Sequence, residues 1–290
     1  MEETSLPVPA RDGRHLTAAA YGPHDGSPVI SLHGTPGCRL PLLPDLALLE
    51  RVGLRLITYD RPGYGESTRH LGRRVVDAAA DIATVADAFA VQHFAVMGFS
   101  GGGPHALAAA ALLPERVTRC AAVASVAPMD AEGLDFFAGM SPENLEEFDA
   151  ALAGRDTLQL ALDPIVGAVA DDVYAFVASL RSELPAIDAA VLDRPAVTQS
   201  YADSAAEALR LGPDGWVDDD LAFAAPWGFD VGRIRVPVGV WHGTADTLVP
   251  VAHAAWLAQA IPGAEGHVVV GAGHFGMLDE MGDILIWLAG

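Results

Sequence analysis

Apolar and polar positions along the chain follow two alternating rhythms. Short apolar runs at 28–32, 54–59, 94–97, 117–126, 236–241 and 267–270 read as buried strands. Residues 15–21, following a turn at Asp12-Gly13, read as a further strand paired with the residues before them. Between these runs the period changes. Segment 74–90 repeats apolar residues on one face (Val75, Ala78, Ala79, Ile82, Val85, Ala86, Phe89), as an amphipathic helix does. Helices are also expected at 106–113, at 251–260 and at the end of the chain up to Trp287. Strands alternating with helices predict the α/β class, a mostly parallel sheet covered by helices on both faces. From Met129 to about Trp227 the pattern is helical, acidic and without a convincing strand. This middle segment reads as an insertion over the sheet's carboxyl edge, where open α/β sheets bind ligands. The expected division is a core over 1–128 and 229–290 and an insertion over 129–228.

Composition narrows the functional classes. The apolar fraction of 51% is ample for a large buried core in a chain of 290 residues. A formal net charge of −21 argues against nucleic acid or an anionic membrane as partner, because both would be repelled. All 17 basic residues are arginine. Without lysine, neither Schiff-base chemistry nor a phosphate-binding P-loop lysine is available. The segment Met1-Glu2-Glu3-Thr4-Ser5 lacks an export pattern, and no apolar run approaches the roughly 18 residues of a membrane span. Cys38 and Cys120 are therefore expected as reduced thiols in a soluble, cytoplasmic protein.

The chemistry concentrates where predicted strands end. Val96-Met97-Gly98-Phe99-Ser100-Gly101-Gly102-Gly103 leads from a strand into a helix. Gly98 and Gly102 flank Ser100 where a tight turn leaves no room for a Cβ, and the turn sets the hydroxyl beside the first free amides of a helix. A serine needs a base within reach, and the base needs an orienting acid. Asp246 and His274 follow later strand ends, in the order Ser, Asp, His; Asp130 is a competing acid. His274 stands out because glycines surround it (Gly271, Gly273, Gly276), whereas His105 is expected to pack and His242 to make structural hydrogen bonds. Asp279 and Glu280 read as solvated. The oxyanion of acyl transfer needs two donors, for which the backbone amides of Gly101 and Thr35 are the candidates, with His33 organising their loop. Phe99, Thr35, Leu248 and Phe275 are expected to line the substrate pocket. Phe136, Phe137, Trp216 and Trp227 either close it from the insertion or pack the core. No metal and no cofactor is called for, and the expected partner is a small-molecule substrate. Nothing marks an oligomeric interface.

Together these motifs resemble the α/β-hydrolase superfamily across the whole chain outside the insertion. The resemblance rests on His33-Gly34-Thr35-Pro36-Gly37, Asp60-Arg61-Pro62-Gly63-Tyr64-Gly65-Glu66-Ser67, Gly98-Phe99-Ser100-Gly101-Gly102, Asp246 after a strand, and Gly273-His274-Phe275. It implies the α/β-hydrolase fold with an eight-stranded sheet, a Ser100–His274–Asp246 triad, a helical cap and a structural role for Asp60 to Ser67. Serine at position 100 separates the chain from members with an aspartate nucleophile. The expected activity is hydrolysis of a small carboxylic ester through an acyl-enzyme. Proline iminopeptidases share the His-Gly-x-Pro-Gly loop and hold a substrate amine with acidic cap residues, for which Glu143, Glu146, Glu147, Asp171, Asp172 and Glu183 are candidates, although helical surfaces explain those acids more simply. Haloperoxidase or perhydrolase activity is a further alternative; outside hydrolysis, so are a small-molecule receptor and a cofactor-free dioxygenase.

Overall fold

A computed structural model describes residues 5–43 and 45–290; the first four residues, which entered the reading of the N-terminus above, and Pro44 lie outside it. Among the described residues eight strands form one sheet: β1 (Leu6–Pro9), β2 (His15–Tyr21), β3 (Ser27–Leu32), β4 (Leu54–Tyr59), β5 (Phe94–Phe99), β6 (Val117–Val123), β7 (Val238–Gly243) and β8 (Glu265–Val269). Their spatial order is β1-β2-β4-β3-β5-β6-β7-β8. The β1–β2 and β2–β4 pairs are antiparallel and the rest are parallel. The expected α/β-hydrolase architecture is therefore present.

Alternation along the strands feeds two cores. Ile30, Ile57, Val96, Cys120 and Val240 point to one face, while Val29, Leu56, Met97, Ala121 and Trp241 point to the other. Both faces are covered, which is why these strands read as nearly continuous apolar runs rather than alternating ones. Helices α1 (Ala47–Val52), α2 (Ala78–Ala88) and α3 (Gly102–Leu112) belong to the first half of the chain. Six more lie between β6 and β7, within the segment expected to be inserted: α4 (Pro142–Ala153), α5 (Arg155–Asp171), α6 (Val173–Glu183), α7 (Ala186–Leu192), α8 (Pro195–Ala208) and α9 (Asp214–Phe223). The chain closes with α10 (Ala252–Ala260) and α11 (Met281–Ala289). Side chains of α2, α3 and α10 pack on the first face, and those of α1 and α11 on the second.

Two of the boundaries that differ from expectation have clear local reasons. Helix α3 starts at Gly102 rather than at 106, directly behind the serine turn, because Pro104 falls in its first turn, where no intrahelical N–H is needed. Strand β6 stops at Val123 rather than at 126: Ala124 turns to φ +48°. The turn puts Ser125 under α3, where a Cβ on Gly103 would meet the Ser125 hydroxyl at 2.1 Å.

Candidate active site

Parallel pairing aligns the carboxyl ends of the central strands. Leu32 pairs with Gly98, Phe99 with Val123, Val123 with Trp241 and Gly243 with Val269. The loops that follow carry His33 to Thr35, Ser100, Asp246 and His274 to one edge of the sheet. Ser100 holds φ +52°, a left-handed conformation that costs a non-glycine residue about 1–2 kcal/mol. Its amide donates to Val123 O at 2.8 Å and its carbonyl accepts from the Gly103 amide at 2.9 Å, so the strained turn is held on both sides. The glycines make it possible. A Cβ on Gly98 would lie 2.2 Å from the Gly102 carbonyl, and one on Gly102 would lie 2.3 Å from the Leu32 carbonyl.

His274 Nδ1 donates to Asp246 Oδ2 at 2.8 Å. A carboxylate only accepts, so in the neutral ring the hydrogen sits on Nδ1 and the lone pair on Nε2. Oδ1 of Asp246 accepts the amides of Leu248 (2.9 Å) and Val249 (2.8 Å), which fixes the carboxylate plane. His242 Nε2 lies 3.3 Å from Oδ2 and donates to Val249 O at 2.6 Å. Burial opposes ionisation of Asp246, but the neighbouring His274 and His242 hold its carboxyl well below the usual carboxylate range. Burial likewise disfavours a charged His274, yet the Asp246 charge and hydrogen bond, with Asp188 beyond, raise it above the ordinary histidine value. The Phe99 ring stands edge-on to the imidazole, centroids 5.1 Å apart. Asp130 is exposed, and the carboxylate that meets His274 is Asp246.

Opposite the serine, the His33-Gly34-Thr35 loop is held from behind. The Arg61 guanidinium donates to the His33 carbonyl, to Gly34 O at 2.9 Å and to Thr35 Oγ1 at 3.0 Å, and the Arg61 amide donates to His33 Nε2 at 3.1 Å. Asp219 anchors the cluster from α9. Its Oδ2 accepts from Arg61 Nη2 (2.5 Å), Thr35 Oγ1 (2.8 Å) and Tyr64 OH (2.9 Å), and its Oδ1 accepts from Arg73 Nη1 (2.6 Å). Burial opposes this charge, but Arg61 and Arg73 hold the Asp219 carboxyl well below its ordinary range. In the same cluster, burial and then Arg61 depress His105 to about 3 and keep His33 neutral as well. The Thr35 hydroxyl thus faces the buried cluster. The loop also meets the serine turn: a Cβ on Gly34 would lie 3.5 Å from Ser100 Cβ, and one on Gly101 would lie 2.2 Å from Thr35 Oγ1. Gly101 φ is −56°, so space and not torsion excludes a side chain there. With the Thr35 and Gly101 amides as the candidate oxyanion donors, Gly101→Ala is expected to push the loop away and to cut turnover by about 10²–10³-fold, the usual effect of losing one such donor. Steady-state kinetics beside a melting curve checks this.

Strand-end loops and inserted helices together line a cavity of about 780 Å³. Thr35, Phe99, Ser100, Gly101, Leu248, His274 and Phe275 all reach its wall. So do six carboxylates, Glu143, Glu147, Asp171, Asp172, Glu183 and Asp220, and among the described residues no arginine does. Four of the six are exposed; Asp220 is buried and Glu147 partly so. Glu147 and Asp220 share a hydrogen bond, and Glu147 Oε1 accepts from Trp216 Nε1 at 2.7 Å. Burial raises both carboxyls, and the Glu147 charge raises Asp220 further, so the pair retains a proton well above the ordinary carboxylate range. Among the described residues no group of three or more His, Cys, Asp or Glu side chains is placed to hold a metal, and no helix is long and apolar enough to cross a membrane.

A family profile described as alpha/beta hydrolase fold matches residues 27–281. The chain belongs to the α/β-hydrolase family. It is 29% identical over 252 residues to a non-heme chloroperoxidase of Streptomyces lividans (86% of this chain, 84% of that protein). It is 28% identical over 286 residues to a proline iminopeptidase of Neisseria gonorrhoeae (91% and 88%). A hydrolase from Pseudomonas aeruginosa superposes with a TM-score of 0.72 at 19% identity, covering 99% of this chain and 98% of that one.

Within this α/β-hydrolase one expected pocket residue lies elsewhere. Trp227 is off the cavity wall: it is 2% exposed, its ring is tilted against Phe229 at 5.8 Å, and its carbonyl accepts the Val76 amide at 3.0 Å. The chain has already left α9 by then and returned to the α2 face of the sheet. Phe136 and Phe137 pack in the same core, against Phe148 and His253. Trp216 does reach the cavity. Sequence reasoning did not single out Asp188, Asp219 or Asp220. Three consecutive acids framed by Trp216, Val217, Leu221 and Phe223 were the available signal for the last two, since a solvated acidic run would not be framed so heavily by apolar residues.

Proposed function

We propose that this hydrolase cleaves small carboxylic esters through an acyl-enzyme, without cofactor. His274 takes the Ser100 proton as Ser100 attacks the ester carbonyl, and Asp246 orients and balances the imidazolium. The amides of Gly101 and Thr35 hold the oxyanion; Gly101 precedes the first i→i−4 bond of α3, so its amide is free of the helix ladder. His274 then activates the water that releases the acid. The observation that carries this reading is the 2.8 Å Asp246–His274 hydrogen bond opening on the same cavity as a serine held at φ +52°. The acidic wall disfavours a substrate with a free carboxylate.

A second reading has its own support. The proton-sharing Glu147–Asp220 pair would ionise fully against a cation, so an amide or peptide with a free amine fits the cavity too, and one relative carries the name proline iminopeptidase. Hydrolysis of p-nitrophenyl esters of graded acyl length, beside proline and alanine nitroanilides, separates the two. Short neutral esters are expected to be turned over best, esters with a carboxylate worst. Preference for the anilides would establish the second reading. In either case kcat/KM should rise with pH through a midpoint above the ordinary histidine value of 6.5, because His274 must be neutral to act and its neighbours favour its charged form.

A further inference from the structure

A short 3-10 turn, Phe275–Leu278, follows His274 directly, and its first amides need acceptors from outside it. A Ser, Thr, Asp or Asn before such a turn can supply a side-chain cap, but here that position is His274, whose ring is committed to Asp246. The acceptor comes from elsewhere in the fold. Asp188 on α7, with no exposed surface, accepts the His274 amide on Oδ2 at 2.9 Å and the Phe275 and Gly276 amides on Oδ1 at 2.8 and 3.2 Å. Gly273 makes the approach possible, since a Cβ there would stand 2.3 Å from Asp188 Oδ2.

We propose that Asp188 is a positioning residue for His274, so that the inserted helices, through this carboxylate, set the placement of the base. The proposal rests on the reading of His274 as the base of Ser100. His274 is held at two ends by two carboxylates: Asp246 from the β7 loop grips Nδ1 of the ring, and Asp188 from the insertion grips the backbone amide. These two are also the charged groups that face His274; His242 reaches it only through Asp246. Because α4, α5, α6, α8 and α9, and Pro185 at the start of α7, also contribute to the cavity wall, seating of the insertion and aim of the base are one event. A second tie between the same parts, the exposed Arg194–Asp279 ion pair (2.9 Å for Nη2 to Oδ2), reaches neither the imidazole nor its amide.

The test is the second-order rate at which a fluorophosphonate labels Ser100 across pH, in wild type, Asp188→Asn and Arg194→Gln. The asparagine keeps the shape but turns an amide NH₂ toward one of the three N–H groups and removes the charge. Labelling is expected to slow by about 10–100-fold, as misplacement of a reacting group does. Its acid limb is expected to move to lower pH, because the imidazolium loses a neighbouring negative charge. Arg194→Gln should change neither. A merely structural role would lower the melting temperature of Asp188→Asn and leave the limb where it is. An unchanged rate and limb in Asp188→Asn, with Ser100 labelled normally in wild type, overturns the proposal alone. Wild type in which Ser100 takes no label overturns it together with the reading of the site. If Asp188→Asn fails to fold, amide exchange at His274, Phe275 and Gly276 in wild type decides: protection matching the buried core supports the clamp, and exchange as fast as the surface loops overturns it.

Discussion

Ser100→Ala is expected to lower ester turnover by about 10⁶-fold while the protein folds and melts as wild type. The hydroxyl is the proposed attacking group, whereas the turn is held by backbone bonds that alanine keeps, Ser100 N to Val123 O and Gly103 N to Ser100 O. Alanine inherits the unfavourable φ of +52° unchanged. Ser100→Gly separates the two roles: it should be equally inactive yet more stable by about 1 kcal/mol, because glycine adopts a left-handed backbone without steric cost. Urea unfolding of both variants measures the difference. A stabilised, inactive Ser100→Gly would mean that the strain exists for the sake of the hydroxyl's position.

Asp219→Asn is expected to cost about 3–5 kcal/mol, the usual penalty for removing one partner of a buried ion pair. That is a large part of the 5–15 kcal/mol that holds most domains together. Asp219 is fully buried between Arg61 and Arg73, and the neutral variant leaves two guanidinium groups without their counter-charge. The substitution also loosens the loop that Arg61 carries, so turnover measured well below the melting temperature should fall, through kcat rather than KM. The sign of the pH dependence follows from the depressed carboxyl. Ionised Asp219 contributes stability above its ordinary value of 3.8, and this contribution is lost as pH falls toward the much lower folded value. Thermal melting across acid pH, wild type against Asp219→Asn, should converge as that limb is descended.

What the sequence disclosed depended on the range of the interaction. Strands β3, β4 and β5 are legible because both their faces are buried and the apolar run is local. The serine turn is legible because its glycines are forced by contacts within a few residues, Gly98 against Gly102, or by one neighbouring strand end, Gly102 against Leu32. Asp246 and His274 could be picked out because each follows a strand among glycines. Asp188 could not. It looks like any acid in a short amphipathic helix, and its three partners lie 86 to 88 residues away. Asp218, Asp219 and Asp220 are consecutive, yet they serve an outer Arg69–Arg155 pair, the Arg61–Arg73 cluster and the Glu147 carboxyl respectively. Only the packed direction of each side chain distinguishes them. Trp227 fell on the wrong side for the same reason: an apolar residue near the insertion's end suits a pocket wall and a core equally well, and the path of the chain after Phe223 decided it.

Whether Ser100 is the nucleophile of an acyl-enzyme is decided by acid-quenching the protein during turnover of p-nitrophenyl acetate and mapping the added mass. One acetyl group per chain, on the peptide containing Ser100 and absent from Ser100→Ala, is the predicted result. Steady turnover with no acetyl on that peptide, or turnover that persists in Ser100→Ala, would contradict it.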